Sequence, residues 1–242
     1  MERLDPEGWD HPKNILVILA HPDDPEFFCG ATLARWIENN HTISYCLFTR
    51  GEKGGNEDLM DPVSISNHRE VEQRSAATVL GIKEVHFLNY PDGYLEPSLE
   101  TRKSVVREIR TVRPNIVVTC DPTNIFFRGN HLNHPDHLAA GRIVLEAIYP
   151  AAGNPLYFPE LITGEGLHPH SIEEVWISLP EAGNTTIDVT PFWEKKLQAL
   201  HQHKSQIGEI QAFDKRMRDR HTEGSIEENP RYEEKFRRII FR

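Results

Sequence analysis

The chain has 242 residues, a formal net charge of −10, 13 His and 3 Cys. That length holds one large α/β domain and buries a core without disulfide staples, and the acidic balance excludes the basic footprint of a nucleic-acid binder. Hydrophobic residues at 38% and charged residues at 26% exclude wholesale disorder; three Cys read as free thiols in a reducing compartment.

In chain order, Met1–Pro12 is polar and acidic and lacks a signal-peptide pattern. No apolar run approaches the roughly 20 residues that span a bilayer. The expectation is a cytoplasmic protein that meets no membrane. Ile15–Leu19 is continuously apolar, as in a strand buried on both faces of a parallel sheet. Gly30–Asn40 reads as a helix and Ile43–Thr49 as a strand. Arg50–Ser66, with Gly51, Gly54, Gly55 and Pro62, reads as a loop, and its glycines suit either a phosphate cradle or a flexible connection. His68–Leu80 is a helix closed by Gly81. Val85–Leu88 is a strand, Leu99–Val112 a helix stopped before Pro114, Ile116–Cys120 a strand and His137–Tyr149 a helix. Pro150–Ser171 reads as a long loop, expected to be a lid, a binding segment or an interface. Val175–Ile177 is one more strand and Phe192–Gln206 a helix. Residues 207–242 are charged and mixed, and a helical extension is expected there. The alternation predicts one α/β domain over 1–242, Rossmann-like, three-layer αβα with a mostly parallel sheet, its core at about 14–206. Cys29, Cys46, Cys120, Trp36, Trp176 and Trp193 read as packing residues.

Two constellations carry chemistry. Ala20-His21-Pro22-Asp23-Asp24-Pro25-Glu26 follows the first strand directly, where ligands of open α/β sheets bind. Carboxylates this close repel unless a cation sits among them. His21 and Asp24 can converge on one metal, which leaves Asp23 free as a base. A helix-capping acidic turn is the plain alternative, and a receiver-like Mg²⁺ site would not need His21. The second constellation, His131-Leu132-Asn133-His134-Pro135-Asp136-His137, follows the fourth strand across the ten-residue Asp121–Asn130 segment. Pro135 suits a first helical position, which lets His134 and His137 face one point from the helix start. Asp136 is placed to orient a neighbouring imidazole. His21, Asp24 and one His of this group make a two-His, one-carboxylate set, the donor set of a catalytic zinc site with an open position. An iron(II) facial triad shares that set, and a non-catalytic sugar or nucleotide module is the third reading.

With these motifs the chain resembles the LmbE-like / PIG-L family of zinc-dependent N-acetylglucosaminyl de-N-acetylases, from about Ile15 to Gln206. The resemblance rests on Ala20-His21-Pro22-Asp23-Asp24, on Thr49-Arg50-Gly51-Glu52-Lys53-Gly54, on Arg69 with Glu72, on Tyr90-Pro91-Asp92-Gly93, on His134-Pro135-Asp136-His137 and on His203-Lys204-Ser205-Gln206. It implies that His21, Asp24 and His137 hold Zn²⁺, with Fe²⁺ or Co²⁺ as substitutes. It implies that Asp23 is the general base and that His134, oriented by Asp136, stabilises the oxyanion or protonates the leaving amine. Arg69 and Asp92 match positions that contact the sugar or its phosphate, and His203 is expected to line the same cleft. The implied partner is a small N-acetylated sugar, and the family's habit of oligomerising implies a homo-oligomer of unfixed number. One departure stands out: Pro25 follows the Asp pair where the family usually has Glu, which leaves Glu26 without an assigned role. The Asp121–Asn130 and Pro150–Ser171 segments are expected to shape the pocket.

Overall fold

A computed structural model describes residues 7–55, 61–127, 131–226 and 228–241. Strands β1 (Asn14–Leu19), β2 (Thr42–Leu47), β3 (Glu84–Phe87), β4 (Ile116–Cys120) and β7 (Glu174–Ser178) run parallel to their neighbours in the order β3-β2-β1-β4-β7. Their side chains are apolar on both faces because helices cover both, and β1 from Ile15 to Leu19 is fully buried. Helices α1 (Asp24–Glu38), α2 (Pro62–Leu80) and α6 (Trp193–Leu200) pack together on one side. Helices α3 (Leu99–Val112) and α4 (Pro135–Glu146) pack together on the other. The predicted three-layer fold with a mostly parallel sheet is what the chain adopts.

The chain order reverses between β1 and β4, which pair directly through Ile15–Ile116. Parallel sheets open a crevice beyond the carboxyl ends of their strands at such a reversal. The two motifs emerge there, one from β1 and one from β4.

Several boundaries differ from the sequence reading. Helix α2 starts at Pro62, because Asp61 caps it by accepting from Val63 N and Ser64 N. The expected Arg50–Ser66 loop is therefore shorter, and its residues 56–60 lie outside those described. The expected Phe192–Gln206 helix is interrupted: α6 ends at Leu200 and a short α7 (Lys204–Ile207) follows. A two-stranded ribbon, β5 (Phe126–Phe127) with β6 (His131–Leu132), precedes α4. Pro150–Ser171 is not a loop throughout, since helical turns at Ala147–Ala152 and α5 (Pro159–Glu165) occupy it. Arg110 fastens it by donating to the carbonyls of Ala151, Ala152, Asn154 and Tyr157. Its far end meets the chain just ahead of β4, where His170 Nε2 bonds Pro114 O, so that end sits opposite the crevice.

The largest correction concerns 207–242. Among the described residues beyond α7, α8 (Ile210–Arg218) is the one α-helix, and Glu233–Ile240 forms strand β9. This strand pairs antiparallel with β7 and with β8 (Thr185–Asp188), which completes a seven-stranded sheet. The segment is thus built into the fold rather than appended to it. Among the described residues, no helix is long and apolar enough to cross a membrane.

Candidate metal centre

The turn after β1 brings His21, Asp23 and Asp24 to the crevice floor. Asp23 has a φ of 89°, a left-handed conformation uncommon outside glycine. Its backbone N–H donates to Gln73 Oε1 at 2.7 Å, and Gln73 Nε2 donates to both oxygens of buried Glu26. Asp24 opens α1 and its Oδ2 accepts from His21 N at 2.8 Å. Across the crevice, His134 caps α4 and His137 lies in its first turn.

Three donor groups converge. His21 Nδ1 lies 3.2 Å from His137 Nε2, His137 Nε2 lies 3.0 Å from Asp24 Oδ1, and His21 Nδ1 lies 3.4 Å from Asp24 Oδ2. Metal–ligand bonds of about 2.0–2.2 Å in a tetrahedron put neighbouring donors roughly 3.3–3.6 Å apart, so the triangle fits one small divalent cation. The remote ring nitrogens agree. His21 Nε2 faces Asp92 Oδ1 at 3.1 Å and Asp136 Oδ2 at 3.4 Å, and His137 Nδ1 faces Asn133 Oδ1 at 2.9 Å. An imidazole that donates through its outer nitrogen presents the inner lone pair to a metal. Burial opposes ionisation of Asp24, but the His137 and His21 rings outweigh it and hold the carboxyl well below its ordinary range. The His21 ring is disfavoured as a cation by burial, yet hydrogen bonds to Asp136, Asp24 and Asp92 push its pKa well above the usual value.

Asp23 stands outside this triangle. Burial pushes its pKa up to about 6, against the opposing charge of Arg69 and with help from Asp24. Arg69 donates to Asp23 Oδ2 at 3.1 Å, to Pro22 O at 2.7 Å and to Gly51 O at 2.9 Å. It is buried, and its guanidinium holds the turn that carries Asp23. The glycine-rich loop serves the same residue. A Cβ at Gly51 would lie 2.1 Å from Arg69 Nη1, and one at Gly54 2.3 Å away. These glycines admit Arg69 rather than cradle a phosphate. Gly51→Ala also forces alanine into a φ of +67°, a conformation costing about 1–2 kcal/mol, so Tm is expected to fall by about 2–8 °C. Displacing Arg69 removes a charge that lowers the Asp23 pKa, so that pKa should move up.

Other expectations shift as well. The Asp136 carboxylate does not orient His134. It accepts from Gly93 N and Leu95 N and faces His21, while its backbone N–H donates to His134 Nδ1 at 3.2 Å. That bond leaves His134 Nε2 as the ring donor, and burial with the nearby His21 and His137 rings lowers its pKa. Asp92 is buried against His21 and accepts from Lys53 N. His203 is 0% exposed and bonds Glu26 Oε2 at 3.2 Å, so it lies beneath the turn instead of lining the cleft. His131 is exposed on the β5–β6 ribbon. Gln73 lies in no motif, and Asn133 sits within the second constellation without an assigned role. A cavity of about 680 Å³ is lined among others by Phe28, Asn124, Leu179, Lys196 and Glu234, and His21, Asp23, Asp24, His134 and His137 are not on its wall. The Phe28 ring packs edge-on against His137, with ring centroids 5.1 Å apart.

The family model for PIG-L, described as GlcNAc-PI de-N-acetylase, matches residues 16–148, over half of the chain. The chain belongs to the PIG-L family. Diacetylchitobiose deacetylase of Thermococcus kodakarensis is 32% identical over 203 residues, covering 84% of this chain and 73% of that protein. A probable N-acetyl-α-D-glucosaminyl L-malate deacetylase of Bacillus anthracis is 28% identical over 202 residues, covering 81% of this chain and 82% of that protein. The solved structure of N,N'-diacetylchitobiose deacetylase from Pyrococcus horikoshii superposes with a TM-score of 0.84 at 26% identity, covering 94% of this chain and 84% of that one. The PIG-L match contains His21, Asp23, Asp24, Arg69, His134 and His137 and ends before His203 and β9.

Proposed function

We propose that the protein is a zinc-dependent de-N-acetylase that hydrolyses the acetamide of an N-acetylglucosamine-type sugar. The observation that carries this reading is the convergence of His21 Nδ1, Asp24 and His137 Nε2 beside a carboxyl whose pKa is pushed up to about 6. A divalent cation held there would polarise a carbonyl and lower the pKa of a bound water to about 7. Asp23 takes the proton of the attacking water, and the new C–O bond forms at the acetyl carbon. His134 Nε2–H donates to the developing oxyanion. Because its Nδ1 already accepts from Asp136 N, His134 acts as a neutral donor, which leaves Asp23 to return its proton to the nitrogen as the C–N bond breaks. The products are acetate and a free amine. Iron oxygenases share the two-His, one-carboxylate set; PIG-L membership is what favours hydrolysis. The free thiols of Cys29, Cys46 and Cys120 fit a cytoplasmic enzyme.

The test is acetate release from N-acetylglucosamine, diacetylchitobiose and N-acetylglucosaminyl malate, with metal content measured on the same sample. Turnover of at least one sugar is expected, lost with a chelator and restored by Zn²⁺. A metal-loaded protein that releases acetate from none of the three would overturn the reading.

A further inference from the structure

Helix α1 is broken. Cys29 has φ −148° and ψ 16°, so a short segment Asp24–Phe28 is followed by a longer one from Gly30. The short segment carries the metal ligand Asp24, the buried Glu26 and the Phe28 ring that packs on His137. A helix break leaves N–H groups at the start of the second segment and carbonyls at the end of the first without partners along the helix. Two side chains from distant elements meet them. Glu234 of β9 accepts from Ala31 N at 3.3 Å and Thr32 N at 2.8 Å. Lys196 of α6 donates to Phe27 O at 2.9 Å. The two join each other at 2.6 Å, with Lys196 3% and Glu234 5% exposed.

From this geometry we infer that Lys196 and Glu234 are positioning residues for the metal site. They act through the two halves of α1 rather than by touching the metal or the substrate. A buried ion pair is often replaceable by apolar residues without loss of stability, so stability alone gives this pair no special claim. What apolar residues cannot supply is an acceptor for two orphaned amides and a donor for one orphaned carbonyl, the groups that fix where Asp24 and Phe28 stand relative to His21 and His137. The strand that delivers Glu234 lies some 210 residues beyond Asp24 in the chain, outside the segment matched to PIG-L.

This inference rests on the proposal that His21, Asp24 and His137 hold a metal, and its test separates the two. The variant is the paired replacement Lys196→Met with Glu234→Leu, which leaves no unpaired charge, alongside Glu234→Gln, which keeps an amide acceptor. Hydrogen exchange of the Asp24, Glu26, Phe27 and Phe28 amides is read on metal-free protein, and Zn²⁺ affinity by calorimetry. In the paired variant, exchange is expected to quicken at least about 10-fold and Zn²⁺ affinity to fall about 10-fold, the range for groups that orient ligands. Glu234→Gln should recover part of both. Wild-type exchange and Zn²⁺ affinity in a folded paired variant, with only Tm changed, would overturn the inference. If wild-type protein binds no Zn²⁺, the metal reading fails, and the exchange rates still decide whether the pair positions α1.

Discussion

Asp23→Ala is expected to lower kcat at least about 100-fold, the ordinary contribution of a positioned general base, with bound metal still stoichiometric. Retention of metal follows from the geometry, because the donor triangle is His21, Asp24 and His137 and Asp23 stands apart from it. The pH profile supplies the second arm. A base must be ionised to accept a proton, so kcat/KM should fall about tenfold per pH unit below its pKa. Burial pushes that pKa up to about 6. A bound cation adds positive charge nearby and favours the carboxylate, so in the loaded enzyme the acid limb should lie below 6. Full activity in the Asp23→Ala variant would remove Asp23 from the mechanism. A limb that persists unchanged in it would assign the titration to another group.

What the sequence made legible follows from how local each signal is. Helix α3 and strand β4 match their expected bounds, Leu99–Val112 and Ile116–Cys120, because a Ser98 cap, a following Pro114 and an unbroken apolar run all lie within the elements or beside them. The β9 strand was not legible. Its buried positions are Glu234 and Phe236, with charged residues between and after them, so the inward face of the strand itself contains a carboxylate and no apolar alternation emerges. The start of α2 was hidden for a related reason: its first turns are polar and follow a Gly-rich stretch, and only the Asp61 cap with Pro62 marks the boundary.

The site divides in the same way. His21, Asp24 and His137 lie in two short motifs that follow neighbouring strands, so sequence and fold class together were enough to expect them in one crevice, where the fold brings them. The partners that set their chemistry are remote. Asp92 reaches His21 from a separate loop and Asp136 from the first turn of α4, Gln73 reaches Asp23 from α2, and Arg69 crosses to Pro22 and Gly51. Each of these is a hydrogen bond between segments that only the tertiary fold brings together. The His surplus was a poor guide by itself: His41 accepts from Lys13 N and His201 pairs with Asp214, both away from the crevice.

His137→Ala is expected to lose its metal on dialysis and to fall to background activity, because two donors cannot replace a three-donor catalytic set. Asn133→Ala, which releases the outer nitrogen of His137 together with the His134 N–H and the Asn124 carbonyl but removes no donor of the triangle, should weaken metal binding by about 10–100-fold and leave a measurable enzyme at saturating Zn²⁺. The metal-free state gives this pair of variants its pH dependence. Asp24, Asp92 and Asp136 surround His21, and those carboxylates push the His21 pKa well above its usual value. Without a cation, the His21 imidazolium is therefore the positive charge that balances the cluster. A metal must displace that proton to reach Nδ1, so binding releases a proton and affinity rises with pH until His21 titrates in the metal-free protein. Calorimetry in buffers of different ionisation enthalpy measures the release directly. Wild-type protein that binds Zn²⁺ with no proton release near neutral pH would contradict the protonated cluster. A His137→Ala variant that keeps its metal through dialysis would contradict the ligand set.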